Sequence, residues 1–217
     1  MKIKGKIMTK AKNIHEFIEK QKAALAANPD CGTTHYNLAI ALMGLERYEE
    51  AKLELFAAIE CSPNLAEAYV QLGGICLKNG DLEGCLHYNQ LAVKSRAGFS
   101  EGYGNIGFVY LQLGEIEKAI PPLEKAIRWN PMFLQAYATL ANAYLMQGDV
   151  DESIKVNLKA LEVESNFAVA HNNLAIAYLQ DENVALAAKH MEKAKELGYE
   201  VAPEILDEIE ALKKTVK

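Results

Sequence analysis

The sequence predicts an all-α fold, an α-solenoid of helix–turn–helix units closed by a terminal helix. Three observations carry that prediction. The chain matches itself when shifted by 34 residues: GTTHYNLAIAL begins at Gly32, AEAYVQLGGIC at Ala66, SEGYGNIGFVY at Ser100, LQAYATLANAY at Leu134 and AVAHNNLAIAY at Ala168. A fixed period of this size marks stacked repeats, none of which can bury its apolar face alone. Each copy also holds two stretches of about a dozen residues with apolar positions three and four apart, the spacing of one helical face. In the middle copies a glycine followed by an acid separates the stretches, at Gly80-Asp81, Gly114-Glu115 and Gly148-Asp149. Glycine enters left-handed backbone without strain, so it stops the first helix of each pair.

The elements follow in order. Residues 1–12, MKIKGKIMTKAK, read as a basic flexible arm, and translation could start at Met1 or at Met8. Pro29 stands 34 residues before Pro63, so residues 13–31 are expected to hold the second helix of an incomplete leading repeat. Five repeats are placed at 32–65, 66–99, 100–133, 134–167 and 168–201, with Pro63 and Pro131 ending second helices. Residues 202–217 read as a capping helix and tail. Pro203 suits its first turn, and Ile205, Leu206, Ile209 and Leu212 form the stripe that covers the last repeat.

Those residues resemble the tetratricopeptide repeat family, whose unit runs W-x2-L-G-x2-Y, then A-x3-F, then a late proline. The third copy reads Tyr103, Ile106, Gly107, Tyr110, Ala119, Leu123, Ala126 and Pro131. The fourth keeps Tyr137, Leu140, Ala141, Tyr144 and Ala160 but departs at Ser153, Asn157 and Ser165. In the fifth, which lacks the turn glycine and the proline, Leu174, Ala175, Tyr178, Ala187, Met191 and Ala194 remain. The resemblance implies a right-handed solenoid with a concave face that binds protein.

Against that frame the spelling GYGNIG, Gly102–Gly107, loses its other meaning. It matches the dinucleotide-binding turn, but that turn needs a strand before it. Here the glycines lie inside a first helix, so no nucleotide cofactor is expected. Gly73 and Gly107 sit where the helices of a repeat cross most closely in the family. Gly74 and Gly104 do not. Either they leave room for a ligand against the backbone, or they are drift.

Composition narrows the function. No run of about 18 apolar residues occurs, so no transmembrane helix is expected, and the lysines at the N-terminus lack the apolar stretch of a signal peptide. A cytoplasmic protein is the expectation. Residues 1–31 hold seven lysines against three acids, a net of +4; the remainder holds 16 basic and 26 acidic residues, −10. Such a body repels a phosphate backbone, so nucleic acid is not an expected partner.

Cys31, Cys61, Cys76 and Cys85 form no C-x-x-C, and Cys76 and Cys85 fall on buried repeat places. Cys85 and His87 are too few, and too far apart around a helix, to be a metal site. His35 and His171 are expected to pack as flat rings, and His15 and His190 to lie on the surface. Trp129 is expected in the core. Pro121 and Pro122 are expected to bend their helix. No catalytic constellation converges, so no enzymatic activity is expected, nor any cofactor or metal.

The resemblance also implies which residues line the concave groove. They are Tyr36, Asn37, Ile40, Val70, Gln71, Gly74, Gly104, Asn105, Phe108, Thr139, Asn142, Asn172, Asn173 and Ile176. This is an apolar trough with almost no charge. Asn37, Gln71, Asn105, Thr139 and Asn173 form a polar ladder along it, similar to the asparagine ladder in the repeat domain of O-GlcNAc transferases. Amides donate and accept, so a ladder can hold an extended peptide backbone; equally, Asn is common at this place in the family. The carboxylate clamp of chaperone-binding members is missing, since its places hold Tyr36 and Ile40, then Glu101 and Asn105.

The reading that results is an interaction module, an adaptor taking an apolar extended peptide or helix in its groove. The alternative is a self-assembling scaffold, a homo-oligomer whose basic N-terminal segment docks on the acidic body.

Overall fold

The computed structural model describes the backbone of residues 2–215 and the side chains of residues 13–213. Among the described residues it holds twelve helices and no strand: α1 (Lys2–Ala27), α2 (Gly32–Gly44), α3 (Tyr48–Cys61), α4 (Ala66–Lys78), α5 (Leu82–Ser95), α6 (Ser100–Gln112), α7 (Ile116–Trp129), α8 (Leu134–Gln147), α9 (Val150–Val163), α10 (Ala168–Gln180), α11 (Val184–Glu196) and α12 (Pro203–Thr215). The chain divides into two compact units, Met1–Gly102 and Tyr103–Lys217. Each is a run of antiparallel helix pairs.

One turn recurs between the helices of every pair. Gly80, Gly114 and Gly148 adopt φ of 76°, 75° and 89°. The following amide then reaches back five residues: Asp81 N–H to the Cys76 carbonyl, Glu115 to Tyr110 and Asp149 to Tyr144, each at 2.9 Å. This is the Schellman closure, which satisfies a carbonyl left over at the helix end. The α2–α3 and α10–α11 pairs have no glycine there, yet Glu46 and Glu182 take φ of 58° and 57°. Arg47 N–H and Asn183 N–H close the same loop on Leu42 and Tyr178 at 3.0 and 2.8 Å.

Each pair closes on alanine and leucine. In the first unit Leu38, Ala39 and Leu42 of α2 pack with Ala51, Leu55 and Ala58 of α3, and Ile18 of α1 joins them. In the second, Leu123 of α7 and Leu140 of α8 share a cluster with Val156 and Ala160 of α9. Gly73 and Gly107 mark the closest approaches. A methyl on Gly73 would stand 2.6 Å from Nδ2 of Asn89, and one on Gly107 would run into Leu123 and come within 3.0 Å of the Ala119 carbonyl. Ile209 of α12 is fully buried on the α11 side chains Ala187, Met191 and Ala194.

Several expectations need correcting. Helix α1 starts at Lys2 rather than in the residue-13 region, because nothing in residues 2–12 breaks a helix: lysine, alanine and methionine favour one, and there is no proline. Trp129 is 58 % exposed. It is the last residue of α7, past the buried stripe of Ala119, Leu123 and Ala126, so its ring stands in solvent. His190 is half-buried rather than on the surface, with its ring centroid 5.6 Å from that of Tyr178. Helix α7 runs on through Pro121 and Pro122 without ending.

The thiols follow burial. Cys85 is buried and its thiol is pushed up to about 11, chiefly by loss of water. His87, two residues on, meets Tyr88 edge-on instead of joining it.

Candidate peptide-binding surfaces

The fourteen groove positions separate by depth. Ile40 is 38 % exposed, and Gly74, Phe108 and Asn142 are exposed too. Nothing lies within 4 Å of where a Gly74 side chain would begin, so that backbone is open. Tyr36, Asn37, Gln71, Asn105, Thr139, Asn173 and Ile176 are half-buried.

Val70, Gly104 and Asn172 are buried, and so are not part of a lining. The reason lies in the residues that join one pair to the next. Phe99, just before α6, packs with Val70 and Ala66. Phe133, just before α8, lays its ring on Gly104, where a Cβ would sit 2.7 Å from Cε1. Gly104 therefore makes room for the protein's own phenylalanine rather than for a ligand. Asn172 holds the same repeat place and is 8 % exposed. The ladder is also less uniform than its spelling. The Thr139 hydroxyl donates to the Gln135 carbonyl of its own helix at 2.8 Å, and the Gln71 amide is bonded to the Tyr36 hydroxyl.

Two depressions gather most of the remaining positions, one in each unit. In the first unit, Ile14 and Phe17 of α1 face Tyr36, Asn37, Ile40 and Ala41 of α2 around a space of about 580 Å³. Phe17 is 43 % exposed. In the second, Phe108 and Leu111 of α6 line a space of about 380 Å³ with Thr139, Asn142, Met146 and Asn173. The sequence reading missed Ile14, Phe17 and Met146. The signal for the first two was present: Ile14, Phe17 and Ile18 make the apolar side of α1 too wide for one neighbour. Ile18 is buried and Phe17 is left facing out.

Charge enters the first unit beside Tyr36. Burial and the Glu67 and Glu101 carboxylates push its phenol up. Loss of water and the Glu67 charge push the Glu101 carboxyl up, while Arg96 acts the other way. Arg96 donates from Nη1 to Glu67 Oε1 at 2.7 Å and lies over the Phe99 ring at 4.1 Å. The other carboxylate oxygen of Glu67, Oε2, is buried without a hydrogen-bond partner in the protein.

Family models bear on the identity of the repeats. Residues 22–66 match a tetratricopeptide repeat model, 134–167 match another, and 107–148 match a TPR repeat model. The chain is a tetratricopeptide repeat protein. No curated protein matches it in sequence.

Similar solved structures carry the same fold at low identity. YrrB, described as a TPR protein with an unusual peptide-binding site, superposes with a TM-score of 0.70 at 20 % identity, covering 90 % of this chain and 99 % of its own. PilF of Pseudomonas aeruginosa gives 0.74 at 17 %, covering 87 % and 86 %. MamA gives 0.66 at 22 %, covering 74 % and 94 %. Among the described residues of this TPR chain, no helix is long and apolar enough to cross a membrane.

Proposed function

We propose that the chain is a protein-interaction module without chemistry of its own, which binds an apolar peptide segment on the faces of its first helices. The observation that carries this reading is the α1–α2 depression, where Phe17 and Ile40 stand exposed around a space large enough for a side chain. Concave apolar sites with a few convergent polar groups are the usual form of a binding site, and Asn37 and Tyr36 supply those groups here. The smaller depression at Phe108, Asn142 and Asn173 offers a second, more polar contact surface. The likeness to YrrB supports the reading in kind.

Selection of random phage-displayed peptides on the purified chain tests it. Enriched peptides should carry bulky apolar residues, and Ile40→Glu should release most of them, Phe108→Glu a smaller set. If both variants retain every selected peptide with unchanged helicity, binding lies elsewhere and the reading fails.

One observation favours a second reading, self-assembly through the N-terminus. Helix α1 extends back to Lys2, and its first eleven residues carry five lysines and no acid. Light scattering should then show an oligomer at low salt that becomes monomeric when residues 1–12 are removed.

A further inference from the structure

The apolar depression of the first unit does not end in neutral surface. Tyr36 forms its border: the ring lines the space with Ile14, Phe17 and Ile40, and the hydroxyl is bonded to Gln71. Beyond that hydroxyl stand Glu67 and Glu101, two carboxylates close enough to act on the phenol and on each other. One cation serves them both. Arg96 is bound to Glu67 Oε1 and stacked on Phe99. That leaves one negative charge in excess, and Glu67 Oε2 is buried without a partner. Crowded carboxylates with a single counter-charge gain from a second cation, most of all where water is partly excluded. A cation brought by the partner would be such a charge.

We propose that this edge receives the arginine or lysine side chain of a bound peptide whose neighbouring apolar side chain fills the Ile14–Phe17–Ile40 depression. The partner is thus a basic–apolar segment, not merely an apolar one. This rests on the proposed function and names its ligand. The two features divide the work. Apolar burial provides most of the affinity, and the carboxylates select among apolar peptides and fix their direction, as complementary charge does at interfaces.

The test uses three fluorescein-labelled peptides on the full chain at moderate salt, read by anisotropy. Each has the same leucine pair, flanked by arginine, by glutamine or by glutamate. The arginine peptide should bind about tenfold tighter than the glutamine one, and the glutamate peptide weakest. Glu101→Gln, which keeps the shape, should remove most of the preference for arginine while leaving the glutamine peptide's affinity unchanged. Ile40→Glu should weaken the glutamine peptide strongly.

Equal binding of the arginine and glutamine peptides, with Ile40→Glu still abolishing both, would overturn the carboxylate edge and leave the apolar surface standing. If none of the three binds, or Ile40→Glu changes nothing, the surface itself is wrong and this proposal goes with it. A preference for arginine that survives Glu101→Gln places the cation elsewhere and also overturns it. Far-ultraviolet circular dichroism of both variants guards against misfolding.

Discussion

The α2–α3 and α10–α11 pairs solve one structural problem with different chemistry. Each has a histidine at the same place of its first helix, bonded through Nε2 to the carbonyl six residues earlier: His35 to Pro29 at 2.8 Å, His171 to Ser165 at 3.2 Å. Each turns Nδ1 to the residue 19 positions later. For His35 that is Glu54, at 2.7 Å; for His171 it is Nδ1 of His190, at 2.9 Å. Both partners of His35 are acceptors, so a ring carrying two protons satisfies both. His171 and His190 instead meet edge to edge, ring centroids 5.1 Å apart, and have one proton to share between facing nitrogens. A proton that completes the first arrangement disrupts the second. The backbone frame is the same; one side chain on the facing helix sets the sign.

The largest effect expected from breaking this symmetry is loss of the buried ring. His171 is 8 % exposed, so His171→Ala should cost about 2–3 kcal/mol through the cavity and the abandoned Ser165 carbonyl. His35→Ala, at a wetter site, should cost about half as much. Urea unfolding at neutral pH measures both, and equal losses would mean that the two sites are not distinguished by burial.

Acid sharpens the comparison next. Burial, then His171 and Lys189, push His190 down from 6.5 to about 4. A folded value below the unfolded one means the unfolded chain takes up the proton first. This contribution is therefore complete above about pH 6.5 and is lost as pH falls toward 4. Discounted for the half-exposed ring, the loss is roughly 1–2 kcal/mol. His190→Phe should lack this part of the acid destabilisation, seen as a shallower fall of the urea midpoint between pH 6.5 and 4. Matching curves for variant and wild type would show that the ring pair carries no acid sensitivity.

The smallest effect concerns what these two pairs share against the middle ones. Glu46 and Glu182 hold the left-handed turn position that glycine holds at Gly80, Gly114 and Gly148. Relief of that backbone outweighs the extra freedom glycine gains on unfolding, so Glu46→Gly and Glu182→Gly should each stabilise by about 0.5–1 kcal/mol. The reverse change, Gly114→Ala, should destabilise by a similar amount. Thermal melts of the three variants suffice, and a falling Tm in either glutamate variant would contradict the strain argument.

The histidines show where sequence reading stops. Their places in the first helices were legible from the 34-residue register, but their partners were not, because residues 19 apart meet only after two helices have folded back. Trp129 taught the same lesson in reverse: a large aromatic reads as core until the helix carrying it is seen to end. At the candidate surface, Ile40, Phe108 and Asn142 came out exposed as the groove reading required. Gly104 and Val70 did not, since Phe133 and Phe99 cover them from the next linker.

The sequence by itself determined the helical pairs, their turns and the stripe each helix buries. Those depend on spacing of three and four along one segment and on a left-handed residue at its end, both local properties. Which of the remaining apolar positions stays open to a partner was decided only by the tertiary structure. Many are apolar enough to bury, and whether a ring from a distant linker or α1 reaches one first depends on how the elements pack, which no local pattern encodes.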